Sequence, residues 1–260
     1  MKRRLARIVT ALALAAAATL AQAGRPCEPW RPAVHDIVQG LDLAQRTAQA
    51  LDATGAQVVV IARAGQDLSR WRLRYSHLGW ALKTPQGWRI VHKLNHCGSA
   101  RADLYRQGLA EFFMDDLHDP VAAFAVPSPA VQAALAPLLA DGGRVQRLHE
   151  PAYNMVAYPW AARYQQSNQW ALETLAWAME PSADSRERAQ AWLRFKGYEP
   201  TVLRIPALTR LGARVGSAHI AFDDHPNTLR YADHIETVTV DSVFAWLERT
   251  QLAGRVQTVR

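Results

Sequence analysis

Tyr75-Ser76-His77-Leu78-Gly79-Trp80-Ala81-Leu82, followed by Lys83-Thr84-Pro85-Gln86-Gly87 and then Trp88-Arg89-Ile90-Val91-His92-Lys93-Leu94, is the stretch on which the fold turns. Apolar and aromatic residues dominate both arms. Thr84-Pro85-Gln86-Gly87 carries the Pro/Gly signal of a hairpin, so the arms are expected to pair as neighbouring antiparallel strands. Each arm holds one histidine. Two imidazoles side by side on a sheet are a usual mounting for a general base and the group that orients it. Gly79, inside a strand, marks a place where another group approaches closely. The hairpin itself supplies no nucleophile.

Outward from this hairpin the chain alternates irregularly between helix and strand signals. Residues 33–53 carry apolar side chains at helical spacing and end near Gly55; 57–62 is a β-branched run that reads as a buried strand. Residues 101–114 have helical spacing through Leu104, Leu109, Phe112 and Phe113, and 124–126 is a short strand. Ser128 as N-cap with Pro129 at the first helical position predicts a helix over 130–139, with Pro137 fraying its last turn. The aromatic stretch 153–164 is irregular. Helices follow over 167–179, stopped by Pro181, and over 185–196, closed by Gly197. The tail predicts a helix at 207–211, a strand at 218–222, a loop at 223–227 and a strand at 236–240. Asp241 is expected to cap a last helix over 243–250. No repeat or low-complexity linker interrupts the chain, and the order is α+β.

Of the 260 residues, the first 23 read as a secretory signal peptide: a basic start (Lys2, Arg3, Arg4, Arg7), an apolar run from Ile8 to Leu20, and Ala21-Gln22-Ala23 before Gly24. The expected location is therefore periplasmic, with no membrane span in the mature chain. Those four basic residues account for four of the seven net positive charges, leaving +3 on residues 24–260. That excess gives no ground for a nucleic-acid partner. The two cysteines, Cys27 and Cys97, form an even pair in an exported chain, which favours a disulfide.

Ser167 stands at the predicted start of a helix in Tyr164-Gln165-Gln166-Ser167-Asn168-Gln169-Trp170. Free backbone N–H groups and the helix dipole favour negative charge there, which suits a nucleophile and an oxyanion; the same position suits a plain N-cap. His92, His96 and Cys97, or Asp223, Asp224 and His225, lack recognised metal spacing, so neither metal nor cofactor is expected. Asp115-Asp116 and Asp223-Asp224-His225-Pro226 suit helix stops and turns. The nine tryptophans, among them Trp71, Trp80, Trp88, Trp160 and Trp170, suit a core or an aromatic groove for sugar or peptide.

The His-[hydrophobic]-Gly-[aromatic] strand, the hairpin and the second strand histidine resemble the NlpC/P60 papain-like hydrolases, over about residues 57–180. In the permuted branch of that superfamily the nucleophile helix follows the histidine strands. The resemblance sets Ser167 at the place of the usual Cys and Trp170 at the buried aromatic. It implies His77 as base, His92 as orienting group, Ser167 as nucleophile, and weaker oxyanion or substrate contacts from Gln166, Tyr164 and Trp80. A second resemblance runs through nearly all of the mature chain. Arg74-Tyr75-Ser76-His77, Gly108 to Asp116, Tyr153-Asn154, Ala157-Tyr158-Pro159, Arg163 to Trp170 and Ala221 to Pro226 are similar to the bacterial family DUF2145.

The expectation is thus a signal peptide over 1–23 and one domain over 24–260. That domain is a papain-like antiparallel sheet packed against helices, with a C-terminal α/β extension over about 181–260. Its expected activity is hydrolysis of an amide or ester bond, with cell-wall peptide as the implied ligand. Serine in place of cysteine also fits an inactive periplasmic binding protein that keeps the cleft, because a hydroxyl is far less acidic than a thiol. A structural envelope protein is the third alternative.

Overall fold

A computed structural model describes residues 32–114 and 117–260. The signal-peptide expectation, Cys27 (and so the expected bridge to Cys97) and the Asp115-Asp116 turn lie outside the described residues. Cys97 sits exposed in the turn after the His92 strand.

Six strands form one antiparallel sheet: β1 (Val58–Ala64), β2 (His77–Thr84), β3 (Gly87–Asn95), β4 (Ala102–Gly108), β5 (Asp119–Ala125) and β8 (Gln257–Val259), in the order β4-β3-β2-β1-β5-β8. The hairpin forms as expected, with Trp80 opposite Val91 and Thr84 opposite Gly87, leaving Pro85-Gln86 as the turn. Gly87 adopts φ +92°, a conformation glycine takes without strain.

Helices cover both faces of the sheet. One face carries α1 (Val34–Ala53) and the short α2 (Leu109–Phe113), packed on Val59, Ile61, Ala81, Trp88, Ile90, Ala122 and Phe124. The other carries α3 (Pro129–Ala140), α4 (Ser167–Met179), α5 (Arg186–Phe195) and α8 (Val240–Arg249), packed on Val58, Val60, Ala62, Leu78, Trp80, Leu82 and Val91. A strand buried on both faces has no polar side to show. This is why Val58 to Ile61 reads as a continuous apolar run instead of an alternation.

Residues 201–237 stand apart as a small unit: β6 (Thr201–Arg204) paired with β7 (His234–Thr237), and between them α6 (Ala207–Gly216) and α7 (Asn227–Tyr231). Leu203, Ile205, Ile220, Phe222 and Ile235 form its own core. Of the stretch 181–260 expected as an extension, α5, α8 and β8 return to the main sheet and its core. Trp246 of α8 is fully buried there.

Several local expectations are corrected. Residues 101–114 are not one helix: 102–108 is edge strand β4, and only 109–113 is helical. The edge position exposes Tyr105 and Arg106, so the strand shows no clean period-two pattern, and its apolar residues run on into those of α2. The stretch 218–222 is not a strand. The Asn154 amide bonds the carbonyl of Ala221 at 2.9 Å and the N–H of Ala221 at 3.1 Å, doing with a side chain what a neighbouring strand would do. The last helix starts three residues early because Thr239, not Asp241, caps it, in a reciprocal pair with Ser242. Strands β6 and β8 have four and three residues and left no legible signal.

Candidate functional site

Side chains alternate along a strand, so His77, Gly79 and Ala81 share one face of β2 while Leu78, Trp80 and Leu82 share the other. On β3, Trp88, Ile90 and His92 share the face of His77. The two imidazoles therefore meet: Nε2 of His77 lies 2.8 Å from Nδ1 of His92. Nε2 of His92 lies 2.9 Å from Oε1 of Gln107, on β4. Because the Gln107 carbonyl only accepts, His92 donates from Nε2 and its Nδ1 accepts from His77 Nε2–H. The lone pair left over is on Nδ1 of His77. The chain Gln107–His92–His77 is thus a relay that ends on a nitrogen lone pair.

Burial holds the His77 imidazole well below its usual value of 6.5; the positive Arg63 and the adjacent His92 push in the same direction. Arg63 stands directly across from His77 in the β1–β2 register, and its guanidinium donates to the carbonyl of Phe112 and lies 4.9 Å from the centre of that ring. Phe112 lies 5.9 Å from the His77 ring and 5.3 Å from the His92 ring, so it covers the pair. His92 is fully buried and His77 is 9% exposed.

Gly79 makes this contact sterically available. Extending the register places it opposite His92. A Cβ on Gly79 would meet Cβ of His92 and Cγ2 of Ile90 at 2.9 Å, and the carbonyl of Val91 at 3.1 Å. Gly79→Ala is expected to cost about 1–3 kcal/mol through forced displacement and to part the two rings. Urea unfolding together with histidine NMR tests both effects; an unchanged midpoint with unchanged ring shifts would refute the account.

Ser167 begins α4, as expected, but α4 packs on the Trp80 face, opposite to the imidazoles. Asn168 joins the two: its Oδ1 accepts from the backbone N–H of Leu78 at 3.0 Å, tying the first turn of α4 to the start of β2. Ser167 and His77 are each one residue from that bond. The two side chains lie on opposite sides of the sheet. Among the described residues its hydroxyl makes no hydrogen bond to either imidazole. It lies beside the Tyr153 phenol, which burial pushes up to about 12. Gln166 at the N-cap position gives no side-chain cap to the helix, because its amide donates to Thr237 Oγ1 at 2.8 Å and to the Val238 carbonyl at 2.7 Å.

The other expected contacts resolve differently. Trp80 is core, 1% exposed, with Nε1 bonded to the Ala171 carbonyl at 3.0 Å, because β2 alternation points it at α4. Trp170 and Trp246 are likewise buried and line no groove. The Tyr164 hydroxyl reaches Asp223 at 3.5 Å, on the side of the small C-terminal unit. Asp224 accepts from Tyr158 N–H at 2.8 Å and lies 3.0 Å from Nδ1 of His225, whose Nε2 meets the Glu236 carbonyl at 3.0 Å, so this acidic loop is a structural tie. Sequence reasoning missed Gln107, Arg63 and Phe112. The one signal for Arg63 was a lone charge ending the apolar run of β1.

Histidines with lowered native values make stability depend on pH. The unfolded chain takes up their protons first, so their contribution is complete above about 6.5 and is lost as pH falls below it. His149, brought to about 4 chiefly by burial and then by Lys93, shares that window with His77. The urea midpoint is expected to drop between pH 6.5 and pH 4, and His149→Gln should flatten that drop; parallel profiles would refute the assignment.

The model of the family described as "Uncharacterized protein conserved in bacteria (DUF2145)" matches residues 50–247, which include both histidine strands, Gln107 and Ser167. No curated protein and no solved structure matches the chain.

Proposed function

We propose that this chain, which belongs to the bacterial family DUF2145, hydrolyses an amide or ester bond, with the Gln107–His92–His77 relay as its base. The observation that carries this reading is the relay, with hydrogen-bond directions that leave Nδ1 of His77 as a neutral acceptor. Ser167 is the nucleophile in this reading. Asn168 holds its helix against the strand that bears His77, and the first turn of α4 has no side-chain cap.

The step is acyl transfer. In this reading the Ser167 hydroxyl gives its proton to Nδ1 of His77 as its oxygen attacks the carbonyl. His77 passes that proton to the leaving group as the C–N or C–O bond breaks, and a water deprotonated by the same nitrogen then cleaves the acyl-serine ester, releasing the acid and restoring the hydroxyl. The developing oxyanion sits against the first-turn amides of α4. Hydroxyl and base come within hydrogen-bond reach when substrate binds, as is common in sites whose empty form is loose. The NlpC/P60 resemblance suggests a cell-wall peptide as the substrate class, and the signal-peptide pattern of residues 1–23 suggests export as the route to it.

A second reading has its own support. Ser167 is 6% exposed and not bonded to an imidazole, which suits a binding protein without turnover. A fluorophosphonate probe separates the two. Stoichiometric labelling at Ser167, absent in Ser167→Ala, is the expected result; an unlabelled, folded wild type would establish the binding protein instead.

A further inference from the structure

Helix α6 turns its apolar side away from the protein. Leu208, Leu211 and Val215 are 83%, 60% and 82% exposed, and no residue of the helix is buried. At 3.6 residues per turn these three side chains fall within an arc of about 60°. The opposite side of the helix faces inward: Ala213 packs on the small C-terminal core, and Arg210 is bonded to Asp233 at 2.7 Å. The usual arrangement of a surface helix is thereby reversed, with an apolar stripe directed at solvent.

The charges carried by the segment that holds the stripe have one sign. Between Glu199 and Asp223 the chain holds Arg204, Arg210 and Arg214 and no acidic residue. Asp233 neutralises Arg210, while Arg214 on α6 and Arg204, three residues before it, are exposed. Tyr231, 74% exposed, stands two residues from the Asp233 that anchors α6. Apolar stripe, flanking arginines and an exposed tyrosine are what an interfacial helix presents to a bilayer containing anionic lipid. A second copy of this chain fits poorly, since it would set arginines against arginines. Three side chains are also few for a stable protein interface, which takes roughly 800 Å² from each partner. No helix among the described residues is long and apolar enough to cross a membrane, so the contact lies on the surface.

We infer that α6 is a membrane-surface anchor that lays Leu208, Leu211 and Val215 into the interface of an anionic bilayer. The site relay lies in a different part of the fold, so this inference stands independently of hydrolysis. Co-sedimentation of the full chain with phosphatidylcholine vesicles, with and without an equal share of phosphatidylglycerol, tests it. Binding to the anionic vesicles is expected to be about tenfold stronger or more and to weaken with salt. The Leu208→Ser/Leu211→Ser/Val215→Ser variant, altered only at exposed positions, should keep its circular dichroism and lose binding by about tenfold or more. Arg214→Glu should weaken only the anionic component. Absence of wild-type binding, unchanged binding of the triple variant, or a wild-type dimer that the triple variant converts to monomer would each overturn the inference.

Discussion

Replacing His77 by alanine is expected to slow fluorophosphonate labelling of Ser167 by about 10²- to 10⁴-fold, the usual worth of a positioned general base. A serine hydroxyl is almost wholly protonated at neutral pH, so its attack depends on proton removal in the transition state. Nδ1 of His77 is the acceptor that the hydrogen-bond directions leave available, and burial keeps that ring neutral and ready. Gln107→Leu should cost less than His77→Ala, because it removes the group that fixes the His92 tautomer and leaves the base itself. Ser167→Cys gives a second readout on the same geometry. If the proposed pairing with His77 forms, a thiol at the uncapped start of α4 should be alkylated by iodoacetamide well below the usual thiol range, and His77→Ala should remove that acidity. Labelling of the His77→Ala protein at the wild-type rate would separate His77 from the chemistry.

Glu173→Ala is expected to destabilise the protein by about 3–5 kcal/mol, since it leaves a buried cation without its partner. Glu173 is wholly buried on α4. Its carboxylate accepts from Arg186 Nε at 2.8 Å, from the Gln165 amide at 2.6 Å and from the Gln190 amide at 2.8 Å. Arg186 also donates to the carbonyls of Ala162 and Tyr164, at 2.6 and 2.9 Å. The pair therefore fastens α5 and the irregular chain leading into Ser167 onto α4. Gln165 extends the network to the buried Lys93 at 2.9 Å. Lys93 is brought to about 7, first by burial and then by Arg186. Denaturant unfolding measures the loss. A Glu173→Leu/Arg186→Met double variant should be less destabilised than Glu173→Ala alone, because it removes both charges. If the double variant is the worse of the two, packing and not uncompensated charge sets the cost.

Much of this was legible because it depends on local pattern. Pro85-Gln86-Gly87 sets the hairpin turn, and period-two alternation then decides that His77 and His92 share a face. Ser128-Pro129, Gly197 and Pro181 bound helices where local chemistry requires it. Gln107 was hidden because β4 is an edge strand whose residues read as part of a helix, and its place beside His92 depends on register with β3. Asn168 was hidden because no sequence pattern announces a side chain that accepts from a strand ninety positions away. Asn154 replaces a strand with an amide at 218–222, and Thr239 takes the cap from Asp241, for the same reason: the partner is chosen in space.

By itself, then, the sequence determined the mixed α+β composition, the central hairpin, the helix beginning at Ser167 and the meeting of two imidazoles. Each of these follows from turn chemistry, capping and the alternation of side chains. Only the tertiary structure decided the rest: a sheet buried on both faces, the imidazoles on the α1 and α2 side with Gln107 behind them, α4 on the other side, and α6 with its apolar stripe facing outward. Alternation says which side chains share a face of a strand. It does not say which helix covers that face, because helix placement is settled by burying apolar area over the whole chain at once.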